Sequence, residues 1–486
     1  MARIVKPFIL AAFFCCWSWV CVPTALAASA VIWVQPNPDH PGATVQVFGR
    51  NFGAREIVDI YFDKIAETEI VTWKAGGFGK VPLIIPVSAK PGKHRIFAVG
   101  RTSGDKAAKR FIVSTDWPEK GFTPEGQRTN PYENVLNTSN VASLVQTWNL
   151  CTPDSVVTSP AVVDDVVYEG SGDGTLWALK ADTGTVLWAA KTGGEIESSA
   201  AVANGVVYVG SGDHKFYAFN AQTGSVLWFS PTGASIYSSP AVANGVVYFG
   251  SFDHTLYALD ATHGTTLWTA TTGDAVQSSP AVANGIVYAG SMDKNVYAFD
   301  AATGSQVWAA PTGGQIQSSP AIWNGTVYIG SNDNKLYAFD AVAGSVRWAS
   351  TTGGYIVSSP AVAQGMVYVV SLDSNLYAFD AATGATMWSA TMGGGDFSSP
   401  AVANGVVYVG SDDHNLYAFD ATTGARLWTA MTGDLVTSSP AVANGMVFVG
   451  SFDFRIYAFG LGGDIAKVHE CDGDSKSAIV AHTRLN

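Results

Sequence analysis

Charged residues are scarce: Asp, Glu, Lys and Arg make up 14% of the 486 residues, against 47% apolar. That balance fits a chain built mainly of buried strands. Cysteine is scarcer still, and Cys15, Cys16 and Cys21 lie near the start, which leaves Cys151 and Cys471 for the remainder. That remainder contains no Cys-x-x-Cys, phosphate loop or nucleophile–base motif, so the usual sequence marks of redox, nucleotide and hydrolytic chemistry are missing. It also lacks an apolar run long enough for a membrane helix, and no membrane span is expected. Glycine is plentiful, with 51 residues, but falls at regular turn positions and does not signal disorder.

The N-terminus has the parts of an export signal. Arg3 and Lys6 precede an apolar stretch from Phe8 to Val22, and Ala25-Leu26-Ala27 forms a small-x-small cleavage site. Residues 1–27 are therefore expected to be a signal peptide and the mature protein to be periplasmic or extracellular. Val20 stands before Cys21 where a lipoprotein would want a small residue, which argues against a lipid anchor. In an exported protein the two remaining thiols, Cys151 and Cys471, are expected to pair as a structural disulfide, the alternatives being free or intermolecular thiols.

Charge sign changes along the chain. Residues 31–115 carry 12 basic and 7 acidic residues, whereas residues 116–486 carry 13 basic and 32 acidic. Opposite surfaces of this kind attract each other, or the basic part contacts an anionic surface polymer. An acidic second part repels phosphates, so no nucleic-acid partner is expected.

What is abundant is repetition. Tryptophan recurs at a forty-residue spacing at Trp148, Trp188, Trp228, Trp268, Trp308, Trp348, Trp388 and Trp428. Between them returns one phrase, as at Ser238-Ser239-Pro240-Ala241-Val242, Asn244-Gly245, Val246 to Ser251, Leu256 to Leu259 and Trp268. Four short apolar runs per forty residues predict one propeller blade per repeat. Asn-Gly is a strong hairpin signal because both residues must take positive φ. The Ser-Pro strand or its variant occurs eight times, from Pro160 to Pro440, but the last repeat ends at Phe459-Gly460 without a tryptophan strand. The unmatched Trp148 strand is thus predicted to complete the eighth blade and remove the open edges of the array. A Cys151–Cys471 disulfide would staple that seam. The aspartates of the Ser-x-Asp turns, Asp173 to Asp453, occur in all eight repeats and are expected to cap backbone amides.

The run Tyr208-Val209-Gly210-Ser211, Asp213, Phe216-Tyr217-Ala218-Phe219 and Thr223-Gly224-Ser225-Val226-Leu227-Trp228 resembles the PQQ-type (quinoprotein-like) propeller repeat. Ahead of the repeats, alternation at Thr44 to Phe48 and Ile57 to Phe62, with turns at Pro41-Gly42, Gly76-Gly77 and Pro91-Gly92, predicts a small β-sandwich. Its stretch Pro41 to Gly53, with Pro91-Gly92-Lys93-His94-Arg95-Ile96, resembles the IPT/TIG immunoglobulin-like family, which implies a spacer or adhesion module. The expected fold class is all-β: an immunoglobulin-like sandwich at 31–115, a connector at 116–147, an eight-bladed β-propeller at 148–460 and a tail at 461–486.

The PQQ-type resemblance implies either of two functions, since the family holds PQQ-dependent alcohol dehydrogenases and also non-catalytic propellers such as the outer-membrane β-barrel assembly factor. Its enzymes hold PQQ with Ca²⁺ through acidic and amide side chains, a catalytic Asp and, in many members, adjacent cysteines. This chain has no such pair after the signal, and its short, nearly identical loops offer little to cap a cofactor. No cofactor, metal site or catalytic residue is expected. His214, His254 and His414 share one repeat position but lie in different blades, too far apart for one ion.

A binding site is expected where repeats disagree, on the face shared by the loops before Ser-Ser-Pro and at Gly-Ser-x-Asp. The candidates are Glu197, Tyr237, Gln277, Gln317, Asp396, Phe397, Phe252 and Phe452, with Asp396 standing where Ile356 and Val436 stand elsewhere. Aromatic and amide side chains around a ring mouth suit a protein or glycan ligand. Glu169, where the matching positions hold Val209, Phe249 and Val409, is expected to snorkel, the alternative being a ligand-binding residue. The leading reading is an exported, monomeric, non-catalytic scaffold or binding protein of the cell envelope; the alternative is a PQQ-dependent quinoprotein dehydrogenase.

Overall fold

The computed structural model describes residues 29–71, 76–395 and 397–462. The signal segment, Asp396, Cys471 and the tail from residue 463 lie outside them. The described residues divide into two compact units, one within Met1–Gln35, Gln46–Leu83 and Arg95–Arg110, the other within Pro36–Val45, Ile84–His94 and Phe111–Asn486.

Eight strands precede the repeats among the described residues, the last the two-residue Thr129–Asn130. Val31–Gln35, Thr44–Arg50 and Phe78–Ile84 form a three-stranded sheet; Ile65–Val71, Ile57–Phe62, Gly92–Gly100 and Lys106–Val113 form a four-stranded one in that order. Alternation does what it predicts: Val45 and Val47, and Val58, Ile60 and Phe62, are buried while their neighbours are not.

Among the described residues the repeats supply four antiparallel strands to each of eight sheets, and Thr129–Asn130 adds a parallel fifth strand beside Ala401–Ala403. In the third sheet, Ala241–Ala243, Val246–Gly250, Thr255–Asp260 and Thr266–Thr271 lie side by side from the axis outward. The first hairpin turns on Asn244 (φ 52°) and Gly245 (φ 78°), the pair of positive φ values that Asn-Gly supplies. The eighth sheet is Ala441–Ala443, Met446–Ser451, Arg455–Leu461 and, antiparallel to the last, Leu144–Cys151, with Trp148 opposite Ala458. The first repeat strand in the sequence is thus the outer strand of the last blade, and it begins at Leu144, four residues earlier than predicted. Cys151 is disulfide-bonded.

Two repeated contacts close the ring. The second serine of each Ser-Ser pair donates its backbone N–H to the hydroxyl of the serine forty residues on, from Ser159 to Ser199 (2.8 Å) through to Ser399 and Ser439 (3.0 Å). Ser439 then donates to Ser159 at 3.3 Å, so the belt is circular. The Ser-Ser-Pro phrase therefore precedes the inner strand and forms the lining of the axis. Farther out, each tryptophan joins its blade to the next. Trp188 Nε1 and the Tyr168 hydroxyl both donate to the carbonyl of Ala221, at 2.9 and 3.2 Å, and their rings lie 5.9 Å apart. The Trp188 ring also covers Gly224 (φ +71°), where a Cβ would come within 2.6 Å of it, so both the backbone angle and the close approach require glycine. The Ser-x-Asp aspartates cap turns as expected: Asp213 accepts from the Lys215 N–H (3.2 Å), the Tyr217 hydroxyl (2.6 Å) and the Gly193 N–H (3.1 Å).

The connector is more than a spacer. The axial edge of each inner strand is an unpaired sheet edge whose polar groups need partners. Residues 117–130 supply them blade by blade. Trp117 exchanges hydrogen bonds with Val162, both 2.7 Å; the N–H groups of Val202, Val282, Ile322, Val362 and Val402 donate to the carbonyls of Pro118, Pro124, Glu125, Gln127 and Arg128 at 2.6–3.0 Å. Val242 N–H donates to Glu119 Oε2 (3.2 Å), and Asn130 Nδ2 donates to the Val442 carbonyl (2.8 Å). One strap thus meets all eight inner strands. Gly126 is obligatory there, because its φ is +72° and a Cβ would lie 2.5 Å from the Pro320 carbonyl oxygen.

Candidate functional site

The strap lies against the inner strands; the variable residues gather around one end of them. Loops ahead of Ser-Ser bond to the Gly-Ser-x-Asp loops, as in Gly212 N–H to the Glu195 carbonyl (2.9 Å) and Phe452 N–H to the Leu435 carbonyl (2.9 Å). Both loop sets therefore share a face, as the repeats predict. Inside it lies a funnel of about 410 Å³. Six of the eight candidates line it: Glu197, Tyr237, Gln277, Gln317, Phe397 and Phe452. Phe252 stands behind, its ring edge-on to Tyr237 with centroids 4.9 Å apart. Asp396 is outside the described residues.

The side chains are partly committed to one another. Tyr237 donates to Glu195 Oε1 (3.0 Å), Gln317 Nε2 to Gln277 Oε1 (3.2 Å), and Asn332 Nδ2 to Gln317 Oε1 (3.2 Å). Burial, with Glu195 nearby, raises the Glu197 carboxyl above its ordinary range; burial and Asp413 do the same for Asp412, which also lines the funnel. Two further residues in the lining stand at the repeat positions of the candidates themselves, Thr437 with Glu197 and Asp412 with Phe252, and were passed over there. Thr437 and Asp412 each present a buried oxygen without a hydrogen-bond partner, Oγ1 and Oδ1. Lys120 enters from the strap, where no repeat exists to compare it with. Burial and the neighbouring Arg128 push its ammonium down to about 8.

Beneath Lys120, a small inner cavity is lined by Glu119, Arg128 and four belt serines. Arg128 is 1% exposed and donates to the carbonyls of Pro400 (2.9 Å), Lys120 (2.7 Å) and Ser399 (3.4 Å). Burial pushes the Glu119 carboxyl up to about 8.

A family model described as "Outer membrane protein assembly factor BamB" (PQQ_2) matches residues 142–200, 173–319, 292–397 and 373–466, more than half of the chain. The chain belongs to this family. Among solved structures, BamB from Moraxella catarrhalis is similar at 20% identity and a TM-score of 0.58, over 65% of this chain and 99% of that one. The quinohemoprotein alcohol dehydrogenase from Comamonas testosteroni is similar at 17% identity and a TM-score of 0.65, over 74% and 82%. The computationally designed Ika8 protein follows at 19% and 0.59, over 65% and 99%. At these identities the likeness is one of fold, and it spans scaffold, enzyme and design alike. No curated protein sequence matches the chain.

The dehydrogenase likeness makes PQQ with Ca²⁺ the cofactor to test against the funnel. The set implied for it is convergent acids and amides around one ion. Here Glu197 and Asp412 come from the second and seventh repeats, and among the described residues no group of three or more His, Cys, Asp or Glu is placed to hold a metal. The described donor set does not fit. The three histidines have another explanation: His214, His254 and His414 occupy the left-handed turn position (φ 66–69°) that Lys294, Asn334 and Ser374 take in other blades. Glu169 corrects an expectation. It does not snorkel but is fully buried, accepting from Thr158 Oγ1 at 2.5 Å, with Oε2 unpartnered; burial holds its carboxyl well above the usual range. Its strand position points into the blade interior, where its counterparts are apolar and no solvent lies within reach.

Proposed function

We propose that this protein is an exported, cofactor-free propeller scaffold of envelope assembly that presents the funnel face to a protein partner. Family membership supports the assembly role, and the signal-like N-terminus supports export. The carrying observation is the funnel itself: in a ring whose repeats are otherwise nearly interchangeable, the divergent side chains converge on one cavity. The mixture of aromatic rings, amides and a few charges suits specific recognition. The likeness of fold to quinoprotein dehydrogenases is set against a lining whose described residues do not supply their ligand set.

Site-specific photo-crosslinking tests this reading. Crosslinkers at Gln277 and Phe452 are expected to capture the same envelope protein, and crosslinkers at the opposite-face turn residues Thr183 and Thr303 are expected not to. A PQQ spectrum after addition of PQQ and Ca²⁺, with alcohol-dependent dye reduction, would overturn it.

A further inference from the structure

Resting on the reading of the funnel as a partner site, we propose that it captures the C-terminal end of an extended polypeptide, with Lys120 anchoring the terminal carboxylate. The placement of Lys120 is firm. Its own carbonyl accepts from Arg128, its predecessor Glu119 is tied to Val242, and Gly121 after it accepts from the Arg128 N–H at 2.9 Å. The side chain stands where the funnel meets the inner cavity.

The charge of that floor is uncompensated. Arg128 makes its hydrogen bonds to carbonyl oxygens, which satisfy its donors but leave the charge. Burial also works against the charge of the Glu119 carboxyl, which lines the same inner cavity, and raises it to about 8. Among the described residues no carboxylate acts on Lys120 or Arg128, whose perturbation is burial and, for Lys120, the other cation. A buried guanidinium behind a partly buried ammonium favours an anionic partner.

The walls decide which anion. Glu197 and Asp412 in the same lining oppose a multiply charged phosphate more strongly than a singly charged carboxylate. Asp412 Oδ1 and Thr437 Oγ1 are acceptors waiting for donors, and backbone N–H groups provide these. Tyr237, Phe397 and Phe452 offer apolar surface to side chains. An anion at one end, N–H donors along the length and apolar side groups together describe a peptide terminus. A 410 Å³ funnel admits a few residues, within the roughly 300–1,000 Å³ of small-ligand sites.

The test uses the full chain and a pool of hexapeptides randomised at the last three positions, once with free C-terminal carboxylates and once amidated. Equilibrium binding is expected to retain free-acid peptides. The tightest should lose at least tenfold on amidation and at least tenfold against Lys120→Met, but little against Lys120→Arg. Its affinity should also fall as pH rises past the point where Lys120 loses its proton. Equal binding of acid and amide, retention of no peptide, or retention of a uronic-acid oligosaccharide instead would overturn the proposal. The amidation arm alters the ligand and so does not depend on how a variant folds. If funnel crosslinks persist while the carboxylate proves irrelevant, the scaffold reading stands and this one fails; a bound quinone removes both.

Discussion

The ring wall and the strap along its axis are stabilised in opposite ways. In the wall, one small set of contacts is made again in each blade: a serine hydrogen bond to the next blade and a tryptophan lying over its turn. In the strap, the eight inner strands are met by a succession of different residues, with side-chain bonds from Glu119, Gln127, Thr129 and Asn130, and with Arg128 buried among carbonyls. A wall of repeated modest contacts shares any single loss among eight interfaces. A strap of unique contacts has no second copy of any of them, and it also brings Lys120, the one cation among the described residues lining the funnel.

Breaking the strap should therefore cost most. Arg128→Ala leaves three buried carbonyls and a cavity, and is expected to lower stability by about 3 kcal/mol or more, measured as the denaturant midpoint. A loss no larger than that of a belt serine would end the distinction drawn between wall and strap.

The wall has its own exception in Glu169. A carboxyl with a raised folded-state pKa binds its proton more tightly folded than unfolded. Stability is therefore retained below the unfolded value of 4.5 and lost as pH rises from there toward the folded pKa. Glu169→Gln is expected to match the parent at pH 4 and to remove a slope of up to about 1.4 kcal/mol per pH unit above it. Parallel stability profiles of the two proteins would contradict this.

Belt serines should behave alike. Ser239→Ala removes one acceptor and is expected to cost about 1–2 kcal/mol. Ser159→Ala, at the seam, should cost the same or slightly less, because the bond it receives from Ser439 is 3.3 Å against 3.0 Å for that from Ser199 to Ser239. A much larger seam effect in thermal melts would mean that closure depends on the belt more than on the Trp148 strand.

The smallest contrast is between two tryptophans. Trp188 Nε1 has an acceptor, whereas Trp228 Nε1 is buried without one. Replacement by Phe should cost about 1 kcal/mol more at Trp188 than at Trp228, since only the first loses a hydrogen bond. Equal melting shifts would show that ring packing alone matters at these positions.

Much of the wall was legible in the sequence because its contacts are local or strictly periodic. Asn-Gly pairs place the hairpins, and the unmatched Trp148 identifies the closing strand without any coordinate. Candidate residues were legible to the extent that repeats allow comparison: Glu197, Tyr237 and Gln277 differ from one another at a shared position and so mark a variable surface. Lys120 was not, because it lies in a stretch with no counterpart. Glu169 was visible as an oddity, but its burial depends on which face of a strand the blade packs.

By itself, the sequence determined the forty-residue blade, the number of blades and the order in which the ring closes, since strand, turn and tryptophan positions act within one repeat or between neighbours. The tertiary structure alone decided what lies on the axis. The strap meets the wall through pairs as distant in sequence as Arg128 and Pro400, and the funnel is assembled from side chains forty or more residues apart. No local pattern encodes such contacts; they exist once the ring has closed and its inner edges need partners.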